Sequence, residues 1–324
     1  MKTTKNLLAV ASLMFLAILV LAACGAATPA KSGEEPELLA LQALATQLKI
    51  DPKIVTITGS EPAQWPDACL GIQAMDETCA TMVVPGYRIA LEAGGQSYEY
   101  RTSEDGSILV AVPRLSLRWQ EEGQCREADL GYESGVSYGS CDGAMTTAPF
   151  AQQARVQELA GFGRLFASLT AETPVGELTF FGGGEQAMSP VEQRRMAEWA
   201  RVAVEQVGGG SIGPVIAWHR EGGIAGFCDD LTISTVGDVL ATSCKGTQGA
   251  EEMGRYRLAP DELEQLYTWV DTLKPFEAEQ TDAATTDAMT VRLAFRGQGT
   301  TDATQDDKLA IESFATDLYL QLGE

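Results

Sequence analysis

From residue 36 to 49 the leucines Leu38, Leu39, Leu41, Leu44 and Leu48 recur largely at three- and four-residue steps. That spacing predicts an amphipathic helix, and Asp51-Pro52 stops it. The period then changes. Residues 54–57 predict a short strand, and residues 86–92 and 97–101 alternate around Gly94-Gly95 as a hairpin does. Residues 108–112 predict one more strand after the Asp105-Gly106 turn. Residues 36–113 therefore read as a small α+β domain, helix first and antiparallel sheet after.

Beyond it the pattern runs twice. Trp119 precedes Cys125 as Trp218 precedes Cys228, and Ser140-Cys141-Asp142-Gly143 matches Ser243-Cys244-Lys245-Gly246. Next, Glu158, Leu159, Phe162, Leu165, Phe166 and Leu169 match Glu262, Leu263, Leu266, Trp269, Val270 and Leu273, predicting a helix in each copy. Leu178-Thr-Phe-Phe-Gly-Gly-Gly matches Leu293-Ala-Phe-Arg-Gly-Gln-Gly, a strand running into a turn. Ser189 with Met196, Trp199 and Ala200 then matches Thr304 with Ile311, Phe314 and Ala315, a second helix opened by a Ser or Thr cap. The expected architecture is α+β, with two tandem β-β-α-β-α units at 114–207 and 213–324 joined by a Gly-rich linker at 208–212.

The start of the chain changes the picture of where this fold works. Lys2 and Lys5 precede a charge-free apolar run over residues 7–23, which ends in Leu21-Ala-Ala-Cys24. This closely resembles a bacterial lipoprotein signal peptide. The resemblance implies removal of residues 1–23, lipidation of Cys24 and a tether at 24–35. The run falls short of the roughly 20 apolar residues of a spanning helix and ends as a cleavage site does. The protein is therefore expected on the extracytoplasmic side of a cell membrane, held by acyl chains alone.

Seven cysteines, less Cys24, leave an even six, as a disulfide framework outside the cytoplasm requires. They fall as sequence neighbours, Cys69 with Cys79, Cys125 with Cys141 and Cys228 with Cys244, and the last two pairs share a separation of 16. Adjacency and the duplicated spacing predict those pairings. The formal charge of −22 grows by two units once Lys2 and Lys5 are lost, so nucleic acid is excluded as a partner.

Familiar catalytic chemistry is sparse. There is one histidine, His219, read as a surface or turn residue, and no HExxH or CxxC spacing. The linker spells GxSxG at 209–213 and GxGxxG at 208–213, but a nucleophile elbow or dinucleotide loop needs a strand before and a helix after. Here the predicted order is reversed. Asp229-Asp230, or Asp302 with Asp306-Asp307, are the acidic pairs with which a calcium ion would be gathered. No catalytic residue, metal or cofactor is expected, and the chain is read as a binding protein and not an enzyme.

Residues 218–227, Trp-His-Arg-Glu-Gly-Gly-Ile-Ala-Gly-Phe, are followed by Leu258-Ala-Pro-Asp-Glu-Leu263 and by Asp287-Ala-Met-Thr-Val-Arg-Leu293. The segment resembles the emfourin-type inhibitors of thermolysin-like metallopeptidases, which open with Arg-x-Gly-Gly-x-Ala-Gly. That resemblance implies a protein partner met by Trp218, Arg220, Gly222, Gly223, Ile224 and Gly226. The first unit departs from the pattern, with Glu121-Glu122-Gly123-Gln124 at the same place, so one copy at most is expected to be active. Trp65-Pro-Asp-Ala-Cys-Leu-Gly71, Pro85-Gly-Tyr-Arg-Ile89 and Tyr98-Glu-Tyr100 resemble a domain of uncharacterised bacterial lipoproteins, in an order loosely similar to PepSY modules. The competing expectations are a structural lipoprotein of envelope assembly and a carboxylate-dependent hydrolase.

Overall fold

The computed structural model describes residues 35–75, 77–245, 251–281 and 288–322. The signal segment, Cys24, the tether up to residue 34, Gly246 and Asp287 lie outside the described residues. Five helices and three antiparallel sheets are described, so the class is α+β with strands predominating.

Helix α1, Pro36–Leu48, ends where Lys49 adopts a left-handed conformation and its N–H turns back to Ala45 O and Thr46 O. The first sheet has the order β1-β2-β3-β4 (Thr56–Asp67, Thr81–Ala93, Gln96–Ser103, Leu109–Ala111). The strand predicted at 54–57 starts only at Thr56, since residues 52–54 form a 3-10 turn, and β1 runs on to Asp67 because Pro62 and Pro66 do not end it. It is an edge strand, where a missing N–H need break no ladder. Ala40 and Leu44 of α1 pack on Ile89 and Leu91 of β2.

The second sheet takes the order β8-β7-β6-β5-β10-β9: β5 Arg114–Glu121, β6 Gln124–Gly131, β7 Gly135–Ser140, β8 Thr146–Ala148, β9 Ala167–Glu172 and β10 Glu177–Gly183. Helix α2, Gln153–Leu165, lies between β8 and β9 in sequence, and α3, Pro190–Val207, follows β10. The third sheet repeats this as β14-β13-β12-β11-β16-β15: β11 Ile216–Gly222, β12 Phe227–Ile233, β13 Asp238–Ser243, β14 Glu251–Arg257, β15 Phe276–Thr281 and β16 Met289–Phe295. Its helices are α4, Pro260–Thr272, and α5, Gln305–Leu322. Each unit thus carries four strands before its first helix and two after, against the two and one expected. The outermost strands, β8, β9, β14 and β15, were not legible because sheet edges present most of their side chains to solvent and show little apolar alternation.

The first helix of each unit is also shorter than its apolar spacing predicts. Helix α2 stops at Leu165, and Leu169 belongs to β9; α4 stops at Thr272, and Leu273 is extended. The cause is the matched glycines. A Cβ on Gly184 would lie 2.2 Å from the backbone of Leu165, and one on Gly299 would lie 2.1 Å from that of Thr272. The chain after β10 therefore crosses the end of α2 at backbone contact, with the Gly184 N–H donating to Phe166 O at 3.2 Å. Gly299 does the same to Leu273 O at 3.1 Å. Side chains at these points would push the strand off the helix end.

The two main cores are built alike. Leu115, Leu117 and Trp119 of β5 pack under Met196, Trp199 and Ala200 of α3, and Ile216 and Trp218 of β11 pack under Ile311, Ala315 and Leu318 of α5. Ser189 and Glu192 close a capping box on α3, and the Thr304 hydroxyl accepts from the Asp307 N–H at α5. The disulfides join Cys69–Cys79, Cys125–Cys141 and Cys228–Cys244, the sequence neighbours. The last two occupy the same place, the open end of the hairpin's strand pair, where Cys141 N–H donates to Cys125 O and Cys244 N–H to Cys228 O. Three disulfides fit an oxidising, extracytoplasmic environment. Among the described residues no helix is long and apolar enough to cross a membrane.

Polar contacts link the units. Arg194 of α3 is held by Asp271 of α4 through two hydrogen bonds of 2.6 and 2.7 Å and lies 4.0 Å over the Tyr267 ring. Beside it Glu198 is buried, and burial pushes its carboxyl above the ordinary range while Arg201 and Arg194 pull it back. A carboxyl raised in the folded state contributes stability that is complete below the unfolded pKa of about 4.3 and lost as pH rises through the folded value. Glu198→Gln is therefore expected to raise the urea midpoint at pH 7 and to flatten the decline between pH 4 and 7. A variant less stable than wild type at both ends of that range would refute this account.

Candidate functional site

Strands β11 and β12 pair from Ile216↔Ile233 out to Gly222↔Phe227, and residues 223–226 close the hairpin. Gly222, Gly223 and Gly226 all have positive φ (88°, 72° and 61°), and the Gly226 N–H returns to Gly223 O at 2.9 Å. A Cβ on Gly222 would stand 2.4 Å from Ala288 O, so the loop root fits closely against the chain entering β16. These requirements place Ile224 at the tip with its side chain in solvent, 93% exposed. The first unit has no counterpart, because β5 and β6 are joined by the two-residue turn Glu122-Gly123, both left-handed.

Below the loop the hairpin is stiffened from three directions. The Arg220 guanidinium donates twice to Asp229 Oδ2, at 3.0 and 2.6 Å, and lies 4.0 Å over the Phe227 ring. Asp229 is 3% exposed. Tyr319 of α5 completes the pocket; burial, and then the Asp229 carboxylate, push its phenol up to about 12. The Cys228–Cys244 bridge ties β12 to β13 one residue away.

The six residues expected to meet a partner thus separate. Trp218 is a correction: it is 2% exposed, packed 5.4 Å from Tyr319 in the core, and offers a partner no surface. Arg220 faces inward and holds the hairpin. Gly222, Gly223 and Gly226 shape the loop, and Ile224 projects from it. Phe227 and Tyr319 carried no signal in the sequence, and Asp229, read there with Asp230 as an acidic pair for a calcium ion, is instead the partner of Arg220. The two-residue step from Trp218 to Arg220 hinted that Arg220 faces inward, but its acidic partner depends on hairpin register and Tyr319 on the packing of α5.

His219 lies within β11, on the solvent face of the sheet, rather than in a turn. Its Nδ1 is 2.8 Å from Asp230 Oδ1 and its Nε2 is 3.4 Å from Glu221 Oε2, while Arg292 bridges Glu221 and Glu279. Cys244 is near His219 and Asp230, but its sulfur is bonded to Cys228 and supplies no thiolate. Asp229 and Asp230 point to opposite faces of the sheet, one to Arg220 and one to His219, so they do not converge on an ion. Asp302 meets Lys274, and Asp307 caps α5. Residues 208–213 follow α3 and precede β11, the reverse of the order that a nucleophile elbow needs.

No curated protein and no solved structure matches the chain. A family model described as a domain of unknown function (DUF8738) matches residues 38–111, the span of α1 and the first sheet.

Proposed function

We propose that the protein is a lipid-anchored extracytoplasmic binding protein that acts without catalysis and engages a protein partner through the β11–β12 loop. The partner class implied by the emfourin resemblance is a thermolysin-like metallopeptidase, whose cleft the loop occludes. The observation that carries this reading is Ile224, 93% exposed on a loop whose backbone is set by three positive-φ glycines and whose base is closed by Arg220–Asp229 and a disulfide. A pre-shaped apolar tip loses little conformational freedom on binding, so more of its burial energy becomes affinity. Two folded units with only one such loop agree with a single active copy.

The test is residual activity of several thermolysin-like peptidases titrated with the purified protein. Stoichiometric loss of activity in one of them is expected, and full activity in all at micromolar excess would overturn the peptidase reading. Anchoring has its own test. Cys24→Ala is expected to block processing or to move the protein from the membrane to the soluble fraction. Unchanged processing with full membrane retention would refute lipidation.

A further inference from the structure

In a chain of formal charge −22, one cavity gathers three arginines. It has a volume of about 540 Å³, within the range of small-molecule sites, and lies where the loop before β2, helix α2 and strand β14 meet. Phe162 and Phe166 line its inner side, while Leu165 and Met75, about half exposed, form its rim. Two of the arginines are satisfied. Arg257 donates to Glu158 at 2.8 Å and Asp238 at 2.9 Å, and Arg164 donates to Ile72 O at 3.0 Å with Glu77 at 3.4 Å.

Arg195 of α3 is not. Among the described residues its guanidinium makes no hydrogen bond and has no carboxylate within 4.0 Å. The carboxylates around it are already engaged: Glu158 by Arg155, Trp199 and Arg257, Asp238 by Arg257, and Glu192 by the N-terminus of its own helix. Burial, and then the neighbouring Arg257 charge, hold Arg195 below its ordinary pKa, and the more distant charges of Glu192 and Asp238 offset only part of that, so the folded protein leaves a positive charge partly desolvated with no direct partner among the described residues. An anion placed there relieves that strain.

We propose that this cavity binds a medium-chain monocarboxylate, its carboxylate on Arg195 and its alkyl chain against Phe162, Leu165 and Met75. One planar guanidinium with unused N–H donors matches one carboxylate in a two-bond fork. A dianion such as a phosphate monoester meets no second uncompensated arginine and is repelled by Glu77 and Glu158 in the lining.

Sodium octanoate titrated calorimetrically into the purified protein is the test, with octan-1-ol as the uncharged control. Saturable binding is expected for octanoate, at least tenfold weaker for octan-1-ol, and at least tenfold weaker for octanoate with Arg195→Gln. Leu165→Asp, at a half-exposed position, is expected to abolish binding with an unchanged thermal midpoint, and Ile224→Asp is expected to leave it intact. Absence of saturable heat at millimolar octanoate, equal binding of octan-1-ol, or full binding by Arg195→Gln would overturn the proposal.

Discussion

Replacing Ile224 by aspartate is expected to weaken inhibition of a susceptible peptidase at least a hundredfold while leaving the thermal midpoint where it was. At 93% exposure the side chain contributes little to the folded state, so its loss is not felt there. In a complex it is the apolar group with most to bury. Full burial of an isoleucine is worth about 1.5–3 kcal/mol, and a hundredfold change in affinity corresponds to about 2.8 kcal/mol. A desolvated carboxylate in its place adds to the loss. Inhibition constants for wild type and variant, read beside their melting curves, decide the matter. A variant that inhibits as well as wild type would move the binding face away from the loop.

Arg220→Ala is expected to destabilise the protein by about 3–5 kcal/mol, the range for breaking a buried ion pair from one side. The reason is Asp229, 3% exposed, whose buried carboxyl group would lose both guanidinium hydrogen bonds. Phe227 would lose the cation stacked at 4.0 Å. Replacing both members by apolar residues, Arg220→Met with Asp229→Leu, is expected to recover most of the loss, since no uncompensated charge then remains. Urea unfolding of wild type, Arg220→Met, Asp229→Leu and the double variant measures the coupling. If Arg220→Ala costs under about 1 kcal/mol, the pair behaves as a surface bridge and the hairpin base is not what stiffens the loop.

Much of the fold was legible because it is local. Leucine spacing set α1 to within a residue, the Gly94-Gly95 turn marked a hairpin, and Ser189 and Thr304 marked helix starts. The disulfide pairs followed from neighbouring cysteines and a repeated spacing. The candidate loop was legible only in outline. A run of glycines announces unusual backbone, and the two-residue step from Trp218 to Arg220 puts both on one face, yet nothing in Trp-His-Arg-Glu-Gly-Gly names the acidic and aromatic partners that make that face the buried one. Trp218 and Arg220 read as contact residues and turned out to be interior ones, because strand alternation sends both beneath the sheet toward Tyr319.

What the amino-acid sequence determined by itself is therefore most of the local elements and their duplication: periodicity, caps, turns and cysteine spacing each act within at most 16 residues. Tertiary structure alone decided the edge strands β8, β9, β14 and β15, whose side chains carry little pattern because one flank of each has no neighbour. It also decided where α2 and α4 stop, through glycines more than a dozen residues downstream that let another strand touch the helix end. And it decided that Arg220 would find Asp229 while Arg195 would find no directly bonded carboxylate among the described residues, since a charge's partner is chosen by register and packing between segments, for which a linear pattern holds no signal.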